Sequence, residues 1–279
     1  METQSLNDLT QYSQKYAYTA YLSRRDWAYE YLRRVPAFEQ AAWNGLSTSP
    51  IGRIACHDIT VMRMRSRQPA AEAWGLKFFP NPEIPAPKAH VFWTEKAHPD
   101  ILDVNVSPRA PNEKHPLFDE TIRKCRMAHL TDENGQEHLI VYGRGCSVQV
   151  RANGHTLVTT KPVKTSFSVS TLSGFEEYVE ILRRSKNVYG DHITDPAQFS
   201  RKALLLRNGL ITLDGQRAGL SDRQIAWIIN GMQTVEEAVA QGDRSLINRV
   251  SYYRENAAEL CAGGYKAFLQ NQSDLEFTD

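Results

Sequence analysis

Six consecutive residues, Leu220 to Ile225, fix where one helix must end and the next begin. Ser221 is a good N-cap, and Gln224 three residues later completes a capping box, in which each side chain satisfies the other residue's backbone N–H. Leu220 before the cap and Ile225 after the first turn add a hydrophobic staple. The surroundings are helical too. Upstream, Phe199, Ala203, Leu206, Leu210 and Leu213 recur at helical spacing, forming one buried stripe that begins after Pro196. Asp214-Gly215 is expected to end or loosen that helix. The capped helix, Asp222 to Asn230, stops at Gly231. A longer helix follows over Arg244–Cys261, with Leu246, Val250, Tyr253, Ala257 and Leu260 inward. Gly263-Gly264 supplies its left-handed stop. Between these two helices, Gly231–Asp243 is far longer than the roughly 3–4 residues of a plain helix-turn-helix connection, so either the turn is extended or these are three helices of a bundle.

The middle of the chain changes period. His138–Tyr142, Ser147–Val150 and Thr156–Thr160 are short β-prone runs, separated by Gly143/Gly145 and by Asn153-Gly154. Asn-Gly between such runs signals a hairpin. A small antiparallel sheet is expected over about 127–170, then a helix from Gly174 to Arg184 and a linker at Asn187–Asp195. Toward the N-terminus, Ser23 caps a helix with Asp26 at N3, and a second short helix runs through Phe38, Ala42 and Trp43 to Gly45. Pro80–Lys88 is a proline-rich loop, with short strands expected around Gly75–Phe79 and His90–Thr94. The tyrosines and tryptophan between Tyr12 and Tyr31 exceed what one helix pair can bury. They are either ordinary core or a docking face for another domain or chain.

The expected fold class is therefore α+β. A helical and β domain with a small antiparallel sheet precedes a C-terminal all-α domain, either a helix-turn-helix variant with an extended turn or three helices of a plain bundle. The expected divisions are 1–110, a β region and connecting helix at 111–190, the helical domain at 196–270, and an acidic flexible tail at 271–279.

Composition excludes several classes. Of 279 residues, 33 are Lys or Arg and 32 Asp or Glu, for a formal charge of +1. A general nucleic-acid coat would be strongly basic, so any nucleic-acid face must be local. Residues 201–217 carry four basic and one acidic side chain, 244–266 four and two, but 222–243 one and four. Two basic helices joined by an acidic turn suggest one positive face; a solvated helix surface is the alternative. No stretch approaches the roughly 20 apolar residues of a membrane span. Met1 to Tyr16 lacks a signal-peptide core, so the cytoplasm is the expected location.

No catalytic constellation emerges. Cys56, Cys125, Cys146 and Cys261 form no CxxC pair, and the eight histidines show no HxH or HxxxH spacing. Gly143-Arg-Gly-Cys146 lacks the Lys-Ser/Thr of a phosphate loop, and there is no GxSxG. Neither an enzyme nor a cofactor, metal or small-molecule substrate is expected. Arg53–Arg67 is a second basic segment. As a strand, Met62–Arg67 would set three arginines on one side, to brace a phosphate or acidic partner, or to protect a sheet edge. Off the apolar stripe of the last long helix lie Arg244, Asn248, Arg249, Tyr252 and Glu255; Arg, Asn and Tyr are types that reach phosphates and base edges.

Tyr21-Leu-Ser-Arg-Arg-Asp-Trp-Ala-Tyr-Glu-Tyr-Leu-Arg-Arg34, Trp74-Gly-Leu76 and Val91-Phe-Trp93 resemble the N-terminal domain of proteobacterial transcriptional activators of conjugative-element excision and transfer. Arg201–Arg207, Ala218–Ala226 and Ala262-Gly-Gly-Tyr-Lys-Ala-Phe-Leu269 resemble their C-terminal domain, an extended-turn helix-turn-helix variant formerly of unknown function. The resemblance implies a DNA-binding activator whose C-terminal domain meets promoter DNA on one face and packs on the N-terminal domain with the other. It implies Arg223, Arg244, Asn248 and Arg249 at the DNA, then Lys202, Arg207 and Lys266, and Trp27 and Tyr31 at the interdomain contact. RNA polymerase and a single-domain antiactivator are the implied protein partners. The other reading is an antiactivator or interaction module that binds a partner protein instead of DNA.

Overall fold

The computed structural model of the protein describes residues 12–56, 59–109, 126–142, 147–156, 163–168 and 199–270. The helix expected at 174–184, the linker at 187–195, Gly143–Cys146 and most of the Thr156–Thr160 run lie outside the described residues.

Helix α1, Arg24–Leu32, starts on the expected capping box: the Ser23 hydroxyl accepts from the Asp26 amide, and the Asp26 carboxylate accepts from Ser23. Every residue from Arg25 to Leu32 is buried, so this helix has no solvent face. A helix buried all round belongs inside a core rather than on a surface. Helix α2, Pro36–Gly45, packs Phe38 and Ala42 inward.

Strands β1 (Arg53–Cys56), β2 (Ile59–Arg63), β3 (Leu102–Pro108), β4 (Arg126–Thr131), β5 (Glu137–Tyr142), β6 (Ser147–Gly154) and β7 (Val163–Ser168) form one sheet in the order β1-β2-β4-β5-β6-β3-β7. It is wider than the sequence suggested and mixed: β2/β4 and β3/β6 are parallel, the other pairs antiparallel. Both edges of β6 are taken, by β5 and by β3, so no free edge is left for a hairpin across Asn153-Gly154. Gly154 serves close approach instead: at φ +93°, a Cβ there would stand 2.5 Å from the Val106 carbonyl oxygen. The turn built on Asn-Gly is Asn134-Gly135, joining β4 to β5. There Asp132 Oδ1 accepts from the amides of Asn134 and Gln136.

Of two short helices, α3 (Pro69–Glu72) precedes the proline-rich stretch and α4 (Ala86–Ala89) forms its last turn, contrary to the expected loop, with Pro87 in the first turn where its missing N–H costs nothing. The strands expected beside it reduce to one bridge, Leu76 to Trp93. The Trp93 backbone is completed by a side chain, since buried Gln149 accepts from its amide at 2.9 Å and donates to its carbonyl at 2.7 Å. The basic run from Arg53 borders the sheet edge. Met62 and Met64 are buried while Arg63 and Arg65 point out, and Arg67 pairs with Glu72. Edge strand β1 leaves Ile54 exposed beside exposed Arg53.

The C-terminal helices are α5 (Arg201–Arg217), α6 (Asp222–Asn230), α7 (Met232–Ala240) and α8 (Ser245–Cys261), followed by a 3-10 turn at Gly264–Phe268. Helix α5 runs straight through Asp214-Gly215, contrary to expectation. Arg34 anchors Asp214, and bare Gly215 lets Ile225 of α6 close in, a Cβ there standing 3.0 Å from Ile225 Cγ1. Segment 231–243 is not a bare turn either, because nine of its residues form α7. Val235 and Val239 had the helical spacing, but neighbouring glycines and the lack of a side-chain cap hid it. Helices α7 and α8 are thus joined by Gln241–Arg244, with Gly242 at φ +82°. That is the three-to-four-residue, glycine-containing connection of a helix-turn-helix.

One hydrophobic core crosses the chain, from Tyr16, Trp27, Tyr31 and Phe38 to Leu206, Leu210, Ile225, Val250 and Phe268. The aromatic excess near the N-terminus thereby finds its use: it receives the C-terminal helices.

Candidate nucleic-acid interface

The N-terminus of α8 is held by Asp243, whose carboxylate accepts from the Ser245 amide at 2.7 Å and the Ser245 hydroxyl at 3.0 Å. Those bonds, the amide's foremost, keep the Asp243 carboxyl below the usual range. Val250, Tyr253 and Ala257 face the core, with Leu246 and Leu260 half-buried beside them. The stripe read from sequence is the buried one.

Outward, the first half of α8 presents Arg244, Asn248, Arg249 and Tyr252, all exposed, Tyr252 by 52%. Further along, the exposed side chains become Glu255 and Glu259. Among the described residues, neither Arg244 nor Arg249 has a side-chain hydrogen bond or ion pair. Arg223 of α6, Val239 of α7, Gly242 and Arg244 in the turn, and Asn248 and Ser251 of α8 line an open groove of about 620 Å³. Helices α6 and α8 and the connection before α8 thus bring Arg223, Asn248 and Arg244 to one surface.

Arg223 is engaged there. Its Nε donates to Glu236 Oε1 at 2.8 Å and its Nη2 to Glu236 Oε2, while Trp227 Nε1 donates to Glu236 Oε1 at 2.7 Å. The hydrogen bond with Glu236 raises the Arg223 pKa, and the same bond lowers that of Glu236. Arg254 pairs with Asp222 on the flank of the groove. Sequence gave no hint of the Arg223–Glu236–Trp227 set, whose members are brought together only by the packing of α7 on α6.

The remaining expected DNA contacts lie elsewhere. Arg207 donates to the Ser13 hydroxyl at 2.5 Å and stacks on Phe199, with its guanidinium carbon 5.2 Å from the ring centre. Lys202, lowered in pKa chiefly by burial and then by the charge of Arg24, lies on the same N-terminal side of α5. Lys266 is exposed in the Gly264–Phe268 turn, beyond the far end of α8. A seventeen-residue helix spans roughly 25 Å, so Lys266 does not share a patch with Arg244.

The opposite side of these helices meets α1. Tyr31 Oη donates to the Leu206 carbonyl at 2.8 Å, and its ring stacks on Phe268 with centres 6.5 Å apart. Trp27 is buried beside Tyr31. Arg34 forks onto Asp214 through Nε and Nη2 at 2.8 and 2.7 Å, Tyr16 Oη donates to Asp214 at 2.6 Å, and Glu30 holds the other side of Arg34. Burial pushes the Asp214 carboxyl up, but Arg34 and Tyr16 outweigh it and the net pKa is lowered.

Among the described residues no cluster of His, Cys, Asp or Glu could hold a metal ion, and no helix is long and apolar enough to cross a membrane. Residues 174–270 match the family model of the RovC DNA-binding domain, characterised as a T6SS transcription-factor DNA-binding domain. The chain carries a DNA-binding transcription-factor domain. No curated protein matches the chain. Within the DNA-binding domain, the α1-facing side is consumed by packing, which leaves the outer face of α8 and its groove open.

Proposed function

We propose that the protein is a non-enzymatic transcriptional activator that docks the first half of α8 into the major groove of promoter DNA. The open face bearing Arg244, Asn248, Arg249 and Tyr252, inside a DNA-binding domain, carries this reading. Recognition helices read base edges from their N-terminal residues, and α8 has its cations and amide there and its glutamates at the other end. Arg244 and Arg249 anchor phosphates, and Asn248 has the donor–acceptor pair that fits adenine in the major groove. Lys202, Arg207 and Lys266 are not part of this contact. The target genes are those for excision or conjugative transfer of a mobile element, and the protein acts in the cytoplasm. The N-terminal and sheet regions face RNA polymerase or an antiactivator.

The acids Glu236, Asp222 and Asp243 around the same face favour a second reading, in which α8 binds a partner protein. A footprint on the promoters of the protein's own mobile element separates the two. With Arg244→Ala/Arg249→Ala, promoter affinity falls and the slope of log K against log salt flattens by about 1.8, two contacts at about 0.9 each. Unchanged promoter binding by a folded double variant would sink the assignment.

A further inference from the structure

The cations around the groove are not equally free to meet a phosphate. Glu236 takes both Nε and Nη2 of Arg223, a fork that would otherwise serve a phosphate, and Trp227 Nε1 fixes the carboxylate from behind. The Arg223 guanidinium carbon lies 5.8 Å from the centre of the Trp227 ring, so the pair is oriented as well as neutral. A neutral pair displaces no counterion from DNA, so Arg223 adds nothing to backbone affinity while it is held. Both partners are partly exposed, which leaves the contact weak enough for a well-placed anion to open. Arg254 is matched in the same manner by Asp222, whereas among the described residues Arg244 and Arg249 make no ion pair, Arg249 only lying within electrostatic reach of Asp243.

Resting on the DNA-binding reading of α8, we infer that Glu236 is a specificity-determining residue that competes with DNA phosphates for Arg223. A duplex that seats α8 fully brings a phosphate to the groove and takes Arg223 from Glu236. A duplex offering only its backbone does not, and its binding stays weak. Specificity then comes from a repulsive element as well as from base contacts.

The test uses the full chain and fluorescence anisotropy on a labelled mixed-sequence duplex across a salt series. Glu236→Gln keeps an oxygen for Trp227 Nε1, so the fold is retained, as a circular-dichroism melt will verify. Freeing one phosphate contact tightens binding about fivefold near 0.15 M monovalent salt and steepens the log–log slope by about 0.9. Arg223→Ala/Glu236→Gln must cancel the gain. Glu237→Gln, at an exposed acid bonded to Gln233, must give little of it. An unchanged Glu236→Gln protein overturns the proposal, as does a gain that survives without Arg223 or is matched by Glu237→Gln. If promoter binding survives loss of Arg244 and Arg249, the α8 reading itself fails, and the proposal falls with it.

Discussion

Asp214→Ala removes the hinge-pin between α1 and α5. Asp214 accepts three hydrogen bonds, from Arg34 at 2.8 and 2.7 Å and from Tyr16 at 2.6 Å. The Arg34 side chain is only 4% exposed and that of Asp214 25%. Removing one partner of a buried ion pair costs about 3–5 kcal/mol, because the other charge is left in low dielectric. Arg34 retains the Glu30 carboxylate and carbonyl, both at 2.7 Å, and Asp214 lies near the rim, so the lower end applies: about 3 kcal/mol. Urea unfolding of the full chain, followed by far-UV circular dichroism, measures this directly. A domain of ordinary stability has about 5–15 kcal/mol, so the midpoint should fall visibly. The acid limb is a second readout. The folded-state pKa of Asp214 is lowered, so the unfolded chain binds the proton more readily. The stabilisation is therefore present above about pH 4 and is lost as pH falls through the folded value. Asp214→Ala should flatten that part of the profile. A loss under about 0.5 kcal/mol with an unchanged acid limb would refute the claim that this pair ties the helices together.

Gly209→Ala tests the close approach of α5 to α1. Alanine in a helix interior ordinarily gains about 1 kcal/mol over glycine, but here the Cβ would stand 2.8 Å from Tyr31 Oη and 3.2 Å from the Ala257 Cβ. The expected result is destabilisation of about 1–3 kcal/mol by denaturant titration, and a stabilised variant contradicts the packing. His98, its Nδ1 3.0 Å from the Leu269 carbonyl, is pushed down to about 3 by burial and by Arg25, against the opposing pull of that carbonyl. It stays neutral in the fold, so stability is full above about pH 6.5 and erodes as pH falls toward 3, by up to roughly 2 kcal/mol at pH 5. His98→Gln should reduce the slope of unfolding free energy between pH 7 and pH 5, and an unaltered slope would assign it to other groups.

The parts of this fold that were legible in the sequence are those specified by neighbours. Ser23 with Asp26, Ser221 with Gln224, the α8 stripe and the Gly263 stop are local signals, and each appears where the residues put it. Strand β3 also carried its alternation, Leu102, Val104 and Val106 inward, but its parallel partner β6 is more than forty residues away and periodicity does not name partners. Between β-prone runs Asn-Gly stands at Asn134-Gly135 and Asn153-Gly154, and only Asn134-Gly135 had strands free to pair across it. At the interface, Arg244, Asn248, Arg249 and Tyr252 were readable as the polar face of one helix. Arg207 was not distinguishable from them by type; it is the packing of α5 against Ser13 and Phe199 that turns it away. Glu236 and Asp214 could not be found at all, since their roles exist only between elements.

Because α1 has no outer surface, it acts as a shared keel for the sheet on one side and the DNA-binding helices on the other. Ser23 meets Ser147 of β6 at 2.7 Å, and two turns later Tyr31 meets Leu206 of α5. Cutting the chain just before residue 199 would strip the keel from Leu206, Gly209 and Phe268 and leave an oily flank in water. This reading head is consequently not a cassette that recombination could splice onto a foreign partner unchanged. It would have to travel with its keel, or acquire a new covering for the same flank.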